Sequence, residues 1–300
     1  METPGKNGMM ALDGILKIRS IVNHSFIQQD LLMKNRFLDV HNVISEMSKE
    51  TWKNIQGFTF LKALTLSIMA GAFITFGALF SVLISAGVKT TGLVLLLQGF
   101  GFSVGFFMVI LSGALLFTET NVVLPASLLH CTTKQLALGA LKFWFVAILG
   151  NIIGAYIAGQ LIHYAQQYPP DVMEGLSHII EKKMYYYRGH DAHHWFQAVV
   201  SGMFGNWLVG MAAVFALMGK TIIGKYLPIF LAVSLFVAAN FQHSPANMGY
   251  FSLIMPTGNG PGWENAILWN LIPAAIGNIL GGTFLVALPF WYALSSHRKK

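Results

Sequence analysis

Cysteine is nearly absent from this chain: Cys131 is the only one in 300 residues, which excludes an intramolecular disulfide and a cysteine-built metal centre. Charge is also scarce. Asp, Glu, Lys and Arg make up 10% of the residues against 55% hydrophobic ones, too few to cover the surface of an ordinary soluble domain, and this composition points to a polytopic membrane protein. No glycine-rich phosphate loop is found, so direct ATP coupling and a bound cofactor are not expected. A cleavable signal pattern is likewise missing from the mixed polar sequence that precedes the first apolar run. The net charge of +7 is spread along an amino-terminal arm, short loops and the terminal Arg298-Lys299-Lys300. That spread fits topogenic charge beside membrane lipid and argues against a nucleic-acid partner.

Six apolar segments follow the arm, at about 58–86, 91–129, 136–164, 195–218, 226–255 and 266–294. Two of them carry polar residues where lipid-soluble ones belong. In the fifth, Val237 to Met248 includes Asn240, Gln242, His243, Ser244, Pro245 and Asn247. Pro245 has no backbone N–H, so the helical ladder breaks and frees groups that need partners in protein or in a water-lined cavity. The second segment, Thr91 to Leu129, would be nearly twice as long as the ~30 Å hydrocarbon core if it were one helix, and it is interrupted at Phe117-Thr118-Glu119-Thr120-Asn121. Two broken spans, one in each half of a chain, point to a transport site near the membrane midplane.

The expected organisation is a cytoplasmic arm (1–57) with an amphipathic helix over 39–56, a six-span channel domain (58–294) and a basic tail (295–300). The channel domain divides into a first repeat (58–165), a connection (166–194) and a second repeat (195–294). Gly150-Asn151-Ile152-Ile153-Gly154 in span 3 matches Gly277-Asn278-Ile279-Leu280-Gly281 in span 6, and spans 2 and 5 share the polar break. A repeated unit of three spans must be inverted in its second copy, with the site at the interface of the halves. The basic arm, Lys134, Lys220, Lys225 and the tail set both termini in the cytoplasm, and the 166–194 connection and the Lys- and Arg-free loop 257–263 outside.

Phe102-Ser103-Val104-Gly105, Leu116-Phe117-Thr118, Gly150-Asn151, Asn206-Trp207, Phe236, His243-Ser244-x-Ala246-Asn247-Met248 and Gly277-Asn278 together resemble the landmarks of the formate/nitrite transporter family. The resemblance covers roughly residues 58–294. It implies an all-α integral membrane protein, with six transmembrane helices in an aquaporin-like inverted repeat broken in helices 2 and 5. It also implies a homopentamer with one pore per protomer, in the plasma membrane of a bacterium or archaeon. The substrates it implies are small monovalent anions such as formate, nitrite or hydrosulfide, or their conjugate acids. Carried over by motif, Phe102 and Phe236 form an outer constriction, Phe106, Leu116 and Phe117 an inner one, and Thr118 and His243 the polar chamber between them, with Asn206, Asn247 and Asn278 as supporting amides.

Two positions depart from the family pattern. The lysine usually found in the outer vestibule shortly before span 4 falls here on His190 or Asp191, with Lys182, Lys183 and Arg188 upstream as substitutes. Glu119 is also unexpected at the break, where it either meets a proton or cation or caps a half-helix. These departures keep two rival readings open: a channel for neutral solutes such as water or ammonia, and a membrane-embedded metalloenzyme. The His190-Asp191-Ala192-His193-His194 run looks like a metal cluster but reads as a solvated loop, and the protein is not expected to be an enzyme.

Overall fold

In a computed structural model the described residues are 38–130 and 134–294; most of the arm, Cys131 and the basic tail lie outside them. Helix α1 (Val40–Gly57) buries Val43 and Met47 against Val122, Ala126, Val214 and Val286, so the amphipathic helix lies against the bundle. The first half then runs through α2 (Phe60–Ser85), α3 (Thr91–Ser112), α4 (Phe117–His130) and α5 (Lys134–Ala165). The connection holds α6 (Pro170–Lys183), started by a proline at its first position, where the missing N–H costs nothing. The second half is α7 (Ala192–Met218), α8 (Ile222–Ala238), α9 (Ser244–Ile254) and a last helical segment, α10 (Trp263–Leu294), with π-helical stretches at Ile267–Leu271 and Gly281–Ala287.

By length and composition, α2, α3, α5, α7 and α10 can each cross a membrane, with mean hydropathies from 1.6 to 2.2. The two halves are packed alike. In the first, α2 lies against α3 and α5; in the second, α7 lies against α8 and α10. Each short helix reaches into the opposite half, α4 onto α10 and α7, and α9 onto α2 and α5. Small residues make the close approach possible. A methyl group at Gly154 would run into the Ile68 carbonyl, and one at Gly281, its counterpart in the repeat, into the Met203 carbonyl. This is backbone-to-backbone packing of the kind that glycine permits between membrane helices.

The interruption of span 2 falls slightly earlier than the polar residues suggested. Helix α3 ends at Ser112 because Gly113 takes the left-handed conformation (φ 68°), and Phe117 to Asn121 already form the first turn of α4. The polar run marks where the helix restarts, not the loop itself. In span 5 the interruption is residues 239–243, with Asn240 at φ 54°, a conformation that asparagine tolerates better than most residues.

Candidate functional site

Helix interruptions inside an apolar bundle leave backbone groups that no water can satisfy, so each must be paired within the protein. Asn151 and Asn278, the asparagines of the repeated Gly-Asn motif, meet this need in the same way. Asn151 Oδ1 accepts from Phe117 N–H (2.8 Å), and its Nδ2 donates to Leu115 O (2.9 Å) and to Ser67 O of α2 (2.8 Å). Asn278 Oδ1 accepts from Ser244 N–H (2.8 Å), and its Nδ2 donates to Gln242 O (3.0 Å) and to Gly202 O of α7 (2.9 Å). One amide thus ties the first residue of the new helix, the residue two before it and the neighbouring span, in both halves.

The second interruption is held by additional bonds. Gln242 N–H donates to Ser201 Oγ (3.1 Å), and Lys183 Nζ at the end of α6 donates to Phe241 O (3.0 Å). Asn247 donates to Gln242 Oε1 (2.8 Å) and to Asn270 Oδ1 (2.7 Å), while Asn270 donates to Lys183 O (2.7 Å). Asn240 Nδ2 reaches Lys182 O (3.3 Å), so the end of α6 is fastened to the loop at several points. Asn270, which the sequence reading passed over, sits in a π-helical stretch of α10, a distortion often found where a helix must present a functional side chain.

The two interruptions bring His243 and Thr118 together, both with no exposed surface, their Nε2 and Oγ1 atoms 2.9 Å apart. His243 is also the N-cap of α9, its Nδ1 accepting from Ala246 N–H at 3.3 Å. An imidazole nitrogen that accepts carries no proton, so the neutral ring has its hydrogen on Nε2 and donates it to Thr118 Oγ1. Asn206 supports the pair from α7, donating to Thr118 O (3.2 Å) and Asn278 O (2.7 Å). Among the described residues Asn206 Oδ1 and Asn247 Oδ1 are buried without a hydrogen-bond partner.

Apolar side chains surround this pair. The Phe102 and Phe236 rings meet edge to face, centres 5.6 Å apart, and Phe236 lies 5.3 Å from the His243 ring. Phe106 and Leu116 are buried in the same cluster. Phe117 is not: it packs with Leu115, Leu124, Phe143 and Val146 in a separate cluster, and its placement differs from that of the two residues grouped with it in the sequence.

Two cavities approach from opposite faces, and neither is lined by His243 or Thr118. One, of about 50 Å³, lies on the α6 face and is lined by Gln98, Phe102, Lys182, Lys183, Phe236 and Tyr250 among others. The other, of about 150 Å³, lies under α1 and is lined by Met47, Thr51, Asn54, Glu119, Thr120 and Lys225 among others. Glu119 is half-buried in the first turn of α4 and faces this second cavity, so it combines a helix-terminal position with access to the space below the site.

Of the three basic residues upstream of the register position, Lys182, Lys183 and Arg188, it is Lys183 that the fold buries. It is 4% exposed, and burial pushes its amine down to about 7. No carboxylate lines its cavity. Asp191, at the register position, has a different task. It caps α7 by accepting from His194 N–H (2.8 Å), a bond that holds its carboxyl below the usual carboxylate range. His190 packs at a tilt against Tyr187 and Trp269, and among the described residues no group of three His, Cys, Asp or Glu side chains is arranged to hold a metal ion.

Residues 41–292 match the formate/nitrite transporter family. The chain belongs to that family. Within it, the chain is 30% identical over 249 residues to a probable formate transporter of Methanothermobacter thermautotrophicus, covering 77% of this chain and 88% of the relative. It is 31% identical over 253 residues to the formate channel FocA of Escherichia coli strain K12, covering 77% and 86%. A solved pentameric formate channel with formate bound superposes with a TM-score of 0.65 at 25% identity, covering 78% of this chain and 96% of that one. This member of the formate/nitrite transporter family is therefore a multi-pass membrane channel protein and not an enzyme.

Proposed function

We propose that the protein conducts small monovalent anions or their conjugate acids, formate first and then nitrite or hydrosulfide, as a homopentamer with one pore in each protomer. The observation that carries this reading is the buried His243–Thr118 pair, with Phe236 against the imidazole ring and Phe102, Phe106 and Leu116 buried in the same apolar cluster; we read Phe102 and Phe236 as an outer constriction and Phe106, Leu116 and Phe117 as an inner one. The pore crosses six spans, with the α6 face outside, the α1 face and both termini in the cytoplasm, and the plasma membrane as its location. Glu119 and Lys225 line its inner mouth.

A bare charge at the centre of a bilayer costs about 3 kcal/mol even on insertion scales, so an anion needs compensation between the two apolar rings. His243 Nε2–H donates to Thr118 Oγ1, which leaves the threonine hydroxyl hydrogen to turn toward the permeant, and the hydrogen-bonded pair polarises as a unit. Because the Nδ1 lone pair is taken by Ala246 N–H, the proton that neutralises the anion comes from outside with it, and His243 acts as a donor that stays in place.

Lys183 favours this reading over a channel for neutral solutes. A buried ammonium lining the cavity concentrates anions by its charge, an attraction that neutral water and ammonia do not share to the same degree. Its amine, lowered to about 7, is charged below that pH and loses its proton as pH rises through it. The unfolded chain keeps the proton up to the ordinary lysine value, so this group makes the fold more stable as pH rises from about 7 toward 10. Lys183→Met is expected to raise the apparent KM for formate severalfold at an outside pH of 6 and to change it little at pH 8.5. Equal shifts at both pH values would show that the charge is not what acts.

The experiment for the reading as a whole is uptake of labelled formate, nitrite and hydrosulfide into proteoliposomes at outside pH 5 and 7.5, beside water conductance. Saturable uptake of at least one anion, rising in acid and without water flux above background, is the expected result. Water or ammonia flux without uptake of any of the three would replace it with the neutral-solute reading.

A further inference from the structure

Phe102 is braced from behind. Tyr250 of α9, 3% exposed, stacks nearly parallel on the Phe102 ring, with centres 5.9 Å apart and an interplanar angle of 26°. The Tyr250 hydroxyl lies 2.8 Å from Ser81 Oγ of α2. Ser81 already donates its own hydroxyl hydrogen to Ala78 O at 2.7 Å, so the hydrogen between the two hydroxyls comes from Tyr250. Ser81 cannot shift toward α3, because Gly101 is packed so closely that a methyl group there would stand 2.6 Å from Ser81 Cα.

A continuous line of contacts results. The α2–α3 packing fixes Ser81, Ser81 fixes the Tyr250 hydroxyl, and the Tyr250 ring fixes the plane of Phe102, which meets Phe236 edge to face. The line also crosses the seam of the molecule, since Tyr250 belongs to the second half while Ser81 and Phe102 belong to the first. A phenylalanine at 250 would pack as well. The hydroxyl therefore serves to hold the ring at one angle, in a place where an aromatic stack alone leaves it free to slide and rock.

We propose that Tyr250 is a positioning residue of the Phe102–Phe236 constriction: through its bond to Ser81 it limits how far Phe102 swings, and so excludes carboxylates larger than formate. This rests on the reading of Phe102 and Phe236 as a constriction, and the test separates the two ideas.

The measurement is the ratio of labelled acetate to labelled formate uptake in proteoliposomes, for Tyr250→Phe, Ser81→Ala, the double variant and Phe102→Ala. Discrimination by one methyl group in a shaped apolar site is on the order of tenfold, and each single variant is expected to forfeit most of it. The ratio should rise by a similar factor in both and no further in the double variant. If Phe102→Ala raises the ratio while Tyr250→Phe and Ser81→Ala leave it at the wild-type value, the role of Tyr250 is overturned and the constriction stands. If Phe102→Ala also leaves it unchanged, the constriction is overturned and the role of Tyr250 with it. Loss of both fluxes in parallel in the two hydroxyl variants, at an unchanged ratio, would make Tyr250 an ordinary packing residue and overturn the proposal.

Discussion

In His243→Asn, formate uptake at an outside pH of 5 is expected to fall by about ten- to a hundredfold while the protein still folds. The magnitude follows from losing a hydrogen-bond donor that acts on a charged permeant, worth about 1.5–3 kcal/mol. Asparagine suits this test because it is among the best N-cap residues, so the bond to Ala246 N–H that starts α9 has a replacement. Its shorter side chain cannot also span the distance that Nε2 covers to Thr118 Oγ1. The substitution thus separates the capping role of the ring from its donor role. Uptake at the wild-type rate would mean that the ring serves α9 alone.

The second large effect is on stability. Asn278→Ala removes the acceptor for Ser244 N–H and Oγ and the donor to Gly202 O and Gln242 O, all inside the bundle. A buried group left without a partner costs about 1–3 kcal/mol, and two or more are left here, so a loss on the order of 4 kcal/mol is expected. Thermal unfolding in detergent, followed by tryptophan fluorescence, should shift to markedly lower temperature, and Asn151→Ala should shift in the same direction. An Asn278→Ala protein that unfolds with the wild-type transition would show that the amide is not what closes the interruption.

These two asparagines also show what the sequence made legible. An amide repeated in the same Gly-Asn-Ile frame, at matching places in two apolar runs, is conspicuous because apolar spans rarely carry amides, although its partners lie 34 to 84 residues away and only the fold names them. The interruptions were visible for the same reason. Lys183 was one of three upstream candidates that the sequence could not separate. Sequence register pointed to His190 or Asp191, and only the folding back of α6 brings Lys183 over Phe241. Tyr250 and Asn270 were hidden differently: each sits among apolar neighbours, and only a partner more than eighty residues away, Ser81 for one and the Lys183 carbonyl for the other, gives it a task. Phe117, next to Leu116 in the chain, is buried in a different apolar cluster, a grouping that spacing alone does not announce.

The matched clasps of Asn151 and Asn278 have a consequence for direction. A passage built from two identical inverted copies of one unit would have no preferred sense, because each half would present the other's structure upside down. Asymmetry enters with what each copy has acquired separately: His243 facing Thr118 at the centre, Lys183 and the α6 fastening on one face, Glu119, Lys225 and the α1 cover on the other. Under the proposed function, any difference between admitting and releasing an anion is then a property of these acquired groups and not of the repeated frame that holds them.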